Sequence, residues 1–127
     1  MTENQIATIV VDSALKIHRA LGPGLLESVY EITLAYELNQ RGLQALRQQG
    51  VPLIYEEIKF KVGFRPDIII DSKFIVEVKS IEALAPIHRK QLETYLRLTG
   101  MHLGLLINFN VELIKHGIQR VVNRLPE

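Results

Sequence analysis

The residues best placed to do chemistry lie in Arg65-Pro66-Asp67-Ile68-Ile69-Ile70-Asp71-Ser72-Lys73-Phe74-Ile75-Val76-Glu77-Val78-Lys79. Two β-rich runs flank the short polar break Asp71-Ser72-Lys73, the pattern of a hairpin. If Ile70 pairs with Phe74 across a three-residue loop, Asp67 falls opposite Glu77. Their Cβ atoms would then stand roughly 5 Å apart on one face. Lys79, two residues beyond Glu77, points to that same face. Opposed carboxylates repel, and a bound cation relieves the repulsion. Oxygen ligands without cysteine or clustered histidine suit Mg²⁺ or Mn²⁺ better than zinc. A lysine beside them can orient an attacking water and balance developing charge. A two-residue loop would instead turn Asp67 and Glu77 to opposite faces. In that case Asp67 caps the strand entry, and Glu77 and Lys79 are solvated. Against this, Glu77 and Lys79 interrupt an apolar run expected to be a central strand, where charges are costly unless they serve a site.

The elements that must position these residues are legible around them. Ile6, Ile9, Val10, Leu15, Ile17 and Leu21 predict a helix over 5–21 with Asn4 as its cap. Gly22-Pro23-Gly24 stops it. A second helix is predicted from Leu25 to Arg41, with Leu26, Tyr30, Leu34 and Leu38 on one face and Gly42 as the stop. From Val51 to Phe64 the period becomes extended, with Glu56-Glu57 as a turn. Pro86 opens a third helix that Gly100 closes. Leu103 to Phe109 reads as a strand covered on both faces, and Val111 to Leu125 is ambiguous between strand and helix. The order is helix, three strands, helix, strand, preceded by an extra N-terminal helix. It predicts a mixed sheet flanked by helices.

Composition bounds the chemistry. The chain has 127 residues, 47% hydrophobic and 23% charged, which suits one domain spanning 1–127. With no cysteine, disulfide scaffolds, Cys-ligated zinc, iron–sulfur clusters and thiol nucleophiles are excluded. The 15 Lys+Arg nearly balance 14 Asp+Glu, so there is no general basic coat. Locally, Arg89, Lys90, Arg97, Lys115, Arg120 and Arg124 outnumber Glu93 and Glu112 between 83 and 125, an excess that could hold phosphates or form a solvated face. No secretory signal or bilayer-spanning run is visible, and a cytoplasmic location is expected. His18, His88, His102 and His116 show no ligand spacing, although His88 lies three residues before Gln91.

Pro66-Asp67 followed by Glu77-Val78-Lys79 resembles the PD-(D/E)xK nuclease superfamily, whose αβββαβ core has the predicted element order. Gln91 and Tyr95 look like the Gln-x-x-x-Tyr motif of its RecB-type branch. Gly24-Leu25-Leu26-Glu27-Ser28-Val29-Tyr30 looks like the signature of the GxxExxY family of small prokaryotic proteins within that superfamily.

The resemblance implies a restriction-endonuclease-like fold and a Mg²⁺- or Mn²⁺-dependent nuclease acting on nucleic acid, DNA in the first instance. It implies Asp67 and Glu77 as metal ligands, with the Val78 carbonyl completing the shell. It implies that Lys79 positions the water, that Gln91 and Tyr95 line the cleft from one helix face, and that Glu27 assists a metal. Glu27 can equally complement the helix dipole, and Tyr30 reads as core packing. The alternative is a catalytically inactive nuclease-like module that binds nucleic acid or a protein. No membrane partner is expected, and a homodimer would suit the cutting of two strands.

Overall fold

Residues 1–126 are described in a computed structural model. Thr2 opens the first helix, α1 (Glu3–Leu21): its hydroxyl accepts from the Gln5 N–H while the Gln5 side chain accepts from the Thr2 N–H. The cap expected at Asn4 is therefore Thr2, because a reciprocal capping box satisfies two free donors at once. Gly22 and Gly24 both adopt positive φ, at 72° and 96°, and turn the chain into α2 (Glu27–Gln40). Tyr30 locks this turn. Its hydroxyl donates to Gly22 O at 2.6 Å and accepts from Leu25 N at 3.1 Å, and its buried ring stacks on Phe109. Tyr30, Leu34 and Leu38 are buried as expected, whereas Leu26 precedes the helix and is exposed.

The chain then lays down β1 (Ala45–Arg47), β2 (Val51–Tyr55), β3 (Ile58–Phe64), β4 (Ile68–Ile70) and β5 (Phe74–Lys79). After α3 (Pro86–Thr99) come β6 (Leu103–Asn108), a 3₁₀ turn (Ile114–Gly117) and β7 (Ile118–Val122). The main sheet runs β1-β4-β5-β6-β7; β5 and β6 are parallel and the other neighbours antiparallel. The architecture is thus a mixed α/β sheet between helices, the restriction-endonuclease-like αβββαβ core behind an extra N-terminal helix. One expected strand differs. The first strand of the meander is β1, and the 51–64 segment forms a separate two-stranded ribbon, β2–β3, inserted between β1 and β4. The ambiguous tail resolves as the 3₁₀ turn and the edge strand β7.

Strand alternation sorts β5 between two helical layers. Phe74, Val76 and Val78 pack with Ile6, Val10, Ala14, Tyr30 and Leu34 of α1 and α2. Ile75 turns the other way, onto Leu92 and Leu96 of α3. Gly104 lets α3 approach that face, since a Cβ there would stand 2.8 Å from Ile75 O and 3.1 Å from a Leu92 methyl.

Candidate metal centre on the β4–β5 hairpin

Register decides this site. Ile68 pairs with Val76, Ile69 with Ile75 and Ile70 with Phe74; the ladder ends there, and one step further in the same register Asp67 meets Glu77 through a side-chain bond. The turn permits it: Lys73 N donates to Ile70 O, and Asp71 and Ser72 both hold positive φ, at 50° and 54°. Asp71 tolerates that conformation because its carboxylate accepts from Gln44 N at 2.8 Å, and its own N–H donates to Gln44 O.

Asp67 and Glu77 are knitted together through the backbone. Asp67 N donates to Glu77 Oε2 at 2.6 Å, and Val78 N donates to Asp67 Oδ2 at 2.8 Å. Along an extended strand the N–H and C=O of one residue point to the same side. The Val78 carbonyl therefore also turns toward Asp67, beyond the last β4–β5 pair at Ile68 and Val76. Glu77 is buried and Asp67 half-buried.

Burial dominates the electrostatics. It pushes the Asp67 carboxyl up to about 6, with Glu31 adding to the rise and the Val78 N–H and Lys79 opposing it. Glu77 is pushed up to about 8, first by burial and then by the negative charge of Asp67. Lys79 shares the Glu77 face of β5, is half-buried, and forms no ion pair among the described residues. Tyr95 comes from α3 on the same side of the sheet. Burial and then the charges of Glu77 and Asp67 raise its hydroxyl pKa, and its ring stacks on Phe64 with centroids 4.6 Å apart.

The structure thus gathers Asp67, Glu77, Val78, Lys79 and Tyr95. Gln91, one turn before Tyr95, is exposed, and its side chain makes no hydrogen bond among the described residues. Glu27 is half-buried at the first position of α2 and has no bond to either carboxylate. The α2 carboxylate that reaches the pair is Glu31, one turn further on. It is buried, bound by Arg47 Nε at 2.8 Å, and linked through Gln48, whose Nε2 donates to Glu31 Oε1 at 3.0 Å and lies 3.3 Å from Asp67 Oδ1. Gln48 holds a φ of 53°, and its N–H donates to Asp67 O at 3.0 Å. An acid on the inner side of α2, four residues after Glu27 and three before Leu34, was a readable signal for Glu31. Gln48 lies in a turn and carried none. His88 Nδ1 accepts from Ala85 N, which caps α3.

The donor set suits a hard divalent cation: two carboxylates and a backbone carbonyl, all oxygen, with both acids costly to ionise alone. Among the described residues no three His, Asp or Glu side chains form a ready cage. Glu31 is instead engaged by Arg47 and Gln48.

A mixed sheet whose central antiparallel hairpin opposes two carboxylates, with a lysine two residues on, defines a restriction-endonuclease-like domain. A family profile for the PD-(D/E)XK nuclease superfamily matches residues 4–121, and the chain belongs to that superfamily. Its members generally use divalent metal ions. No curated protein and no solved structure matches the chain.

Proposed function

We propose that this protein is a Mg²⁺- or Mn²⁺-dependent phosphodiesterase that cuts nucleic acid, DNA in the first instance. The observation that carries the reading is the hairpin register that brings Asp67 to Glu77 just past the last strand pair, where backbone N–H groups bind both carboxylates, with Lys79 on the Glu77 face. A divalent ion held there by Asp67, Glu77 and the Val78 carbonyl would polarise the scissile phosphate. Lys79 would orient the attacking water and balance charge on the phosphate oxygens. Tyr95, and Gln91 one turn before it, would line the cleft against the substrate backbone. Gln48 and Glu31 would hold Asp67 in its orientation, with Glu27 at the mouth of the site. Gly24, Glu27 and Tyr30 support placement in the GxxExxY family, since the Gly24 turn is the one closed by the Tyr30 hydroxyl. Gln91 and Tyr95 support a RecB-like ancestry.

We read residues 1–127 as one domain, because β1 and β7 edge a single sheet and α1 packs across it. No described helix is long and apolar enough to cross a membrane. A cytoplasmic location fits a protein acting on nucleic acid.

Purified protein given Mn²⁺ and a mixture of single- and double-stranded DNA and RNA is expected to cleave at least one of them. Asp67→Ala and Lys79→Ala should each reduce the rate by about 10²-fold or more. Cleavage surviving both substitutions overturns the assignment. Metal-independent binding without turnover would instead make the domain a nuclease-like binding module.

A further inference from the structure

The chain has 4 Tyr and 4 Phe. Tyr30, Phe74 and Phe109 fill the core, whereas Tyr55, Phe60, Phe64 and Tyr95 run from the β2–β3 ribbon to the metal centre. The ribbon pairs with no other strand. Within it Tyr55 pairs with Ile58 and Leu53 with Phe60, so the rings of Tyr55 and Phe60 are diagonal neighbours on one face. They are 64% and 46% exposed. At the domain end of β3, Phe64 stacks on Tyr95 of α3, and Tyr95 in turn feels the charges of Glu77 and Asp67. These four residues are scattered in sequence. The hairpin and the stack bring them into one series that leads to the carboxylates.

Charge along the ribbon selects what such rings can bind. Lys59 pairs with Ile54 on the reverse face, and Lys61 follows it by alternation. Arg65 stands two residues before Asp67. All three are exposed, and none forms an ion pair among the described residues. Strand β2 carries no charged residue, so the cations line the β3 edge alone. Long apolar stems let their heads reach round that edge. The ribbon's acids, Glu56 and Glu57, close its tip. They repel phosphates there, which confines a backbone following β3 to the stretch between Lys59 and Arg65, beside Asp67. Exposed rings for base faces, edged by unpaired cations for phosphates, are what single-strand binding requires. A duplex keeps its base faces inside its own stack and offers the rings only edges and backbone.

We propose that the β2–β3 ribbon is a binding arm for single-stranded nucleic acid, whose bases stack on Tyr55 and Phe60 while its phosphates follow Lys59, Lys61 and Arg65 toward the metal centre. Every base has a π-face, so the arm takes unpaired DNA or RNA without reading sequence. This deepens the nuclease reading by naming the state of its substrate. It rests on that reading only for what happens where the strand reaches Asp67 and Glu77.

Fluorescence anisotropy of end-labelled oligonucleotides in EDTA tests the arm apart from any cleavage. The wild type should bind a mixed-sequence single strand, DNA or RNA, about ten-fold or more tightly than the blunt duplex of the same sequence. Tyr55→Ala and Phe60→Ala should each weaken single-strand binding by about 5- to 100-fold. Phe60→Trp should keep it, and Ile54→Ala, on the reverse face, should leave it unchanged. Lys59→Gln with Lys61→Gln should lower the slope of log affinity against log salt by ~1.4, at ~0.7 for each phosphate. In the wild type, the ring proton resonances of Tyr55 and Phe60 should shift as single strand is added, which decides the matter even if an alanine variant fails to fold. The proposal is overturned by duplex bound as tightly as single strand, by no binding, by alanine variants that bind like the wild type, by an equal loss in Ile54→Ala, by an unchanged salt slope, or by ring resonances that stay in place. A protein that binds in this pattern but never cuts with Mn²⁺ would lose the nuclease reading and keep the arm. Cutting confined to duplex, with no preference for single strand, would do the reverse.

Discussion

Between Asp67 and Glu77 the chain keeps two acids where burial and mutual repulsion work against their charges. The two backbone N–H donors offset this in part and would still serve neutral amides, whose carbonyl oxygens accept equally well. Glu77→Gln should therefore stabilise the metal-free protein at pH 8 by roughly 1–3 kcal/mol while removing its response to Mn²⁺. Urea unfolding in EDTA and in Mn²⁺ measures both effects. A destabilised Glu77→Gln protein would show that the carboxylate contributes to the fold rather than to a site. Sequence reached these two residues because spacing and a hairpin turn suffice to oppose them. It missed Glu31 and Gln48 because their roles depend on a helix meeting the end of a strand and on one residue held at positive φ. Neither is a periodic feature.

At the level of elements, the Asp71-Ser72 turn sets the site, because slipping the register by one residue would send Asp67 to the other face. Asp71 is tied down by Gln44, whereas Ser72 holds a φ of 54° with no side-chain hydrogen bond among the described residues. Ser72→Gly should stabilise the protein by about 0.5–1 kcal/mol, since Asp-Gly is the favoured pair for such a turn. Metal affinity should be unchanged. Differential scanning calorimetry with and without Mn²⁺ checks this, and a lost Mn²⁺ shift would mean that the turn had moved. The third helix, the β4–β5 hairpin and the doubly covered β6 were legible from Pro86, Gly100 and unbroken apolar runs. The first strand of the meander was not. β1 is only Ala45–Arg47, too short for a period, while the longer and more strand-like 51–64 segment belongs to the ribbon. Alternation identifies a strand but not its sheet.

For the molecule as a whole, the buried pair couples proton binding to folding and to metal binding. Ordinary values near 3.8 and 4.5 rise to about 6 and about 8 on folding. Through the window between them the native protein holds protons that the unfolded chain has released. The pair's contribution therefore makes metal-free stability fall as pH rises from about 4 to 8. The groups facing the pair are Glu31 from α2, Lys79 from β5 and Tyr95 from α3, and of these only Lys79 opposes the trend. A divalent cation needs both carboxylates ionised, so it must displace whatever protons remain. At pH 7, between the two apparent values, the pair holds about one proton, so Mn²⁺ binding should release about one. Near pH 5 release should approach two, and by pH 9.5 it should be close to zero. Calorimetric titrations in buffers of differing ionisation enthalpy read this number directly. A release that does not change between pH 5 and 9.5 would detach metal binding from this pair, whereas Asp67→Asn should lower the release near pH 5 and weaken binding at every pH.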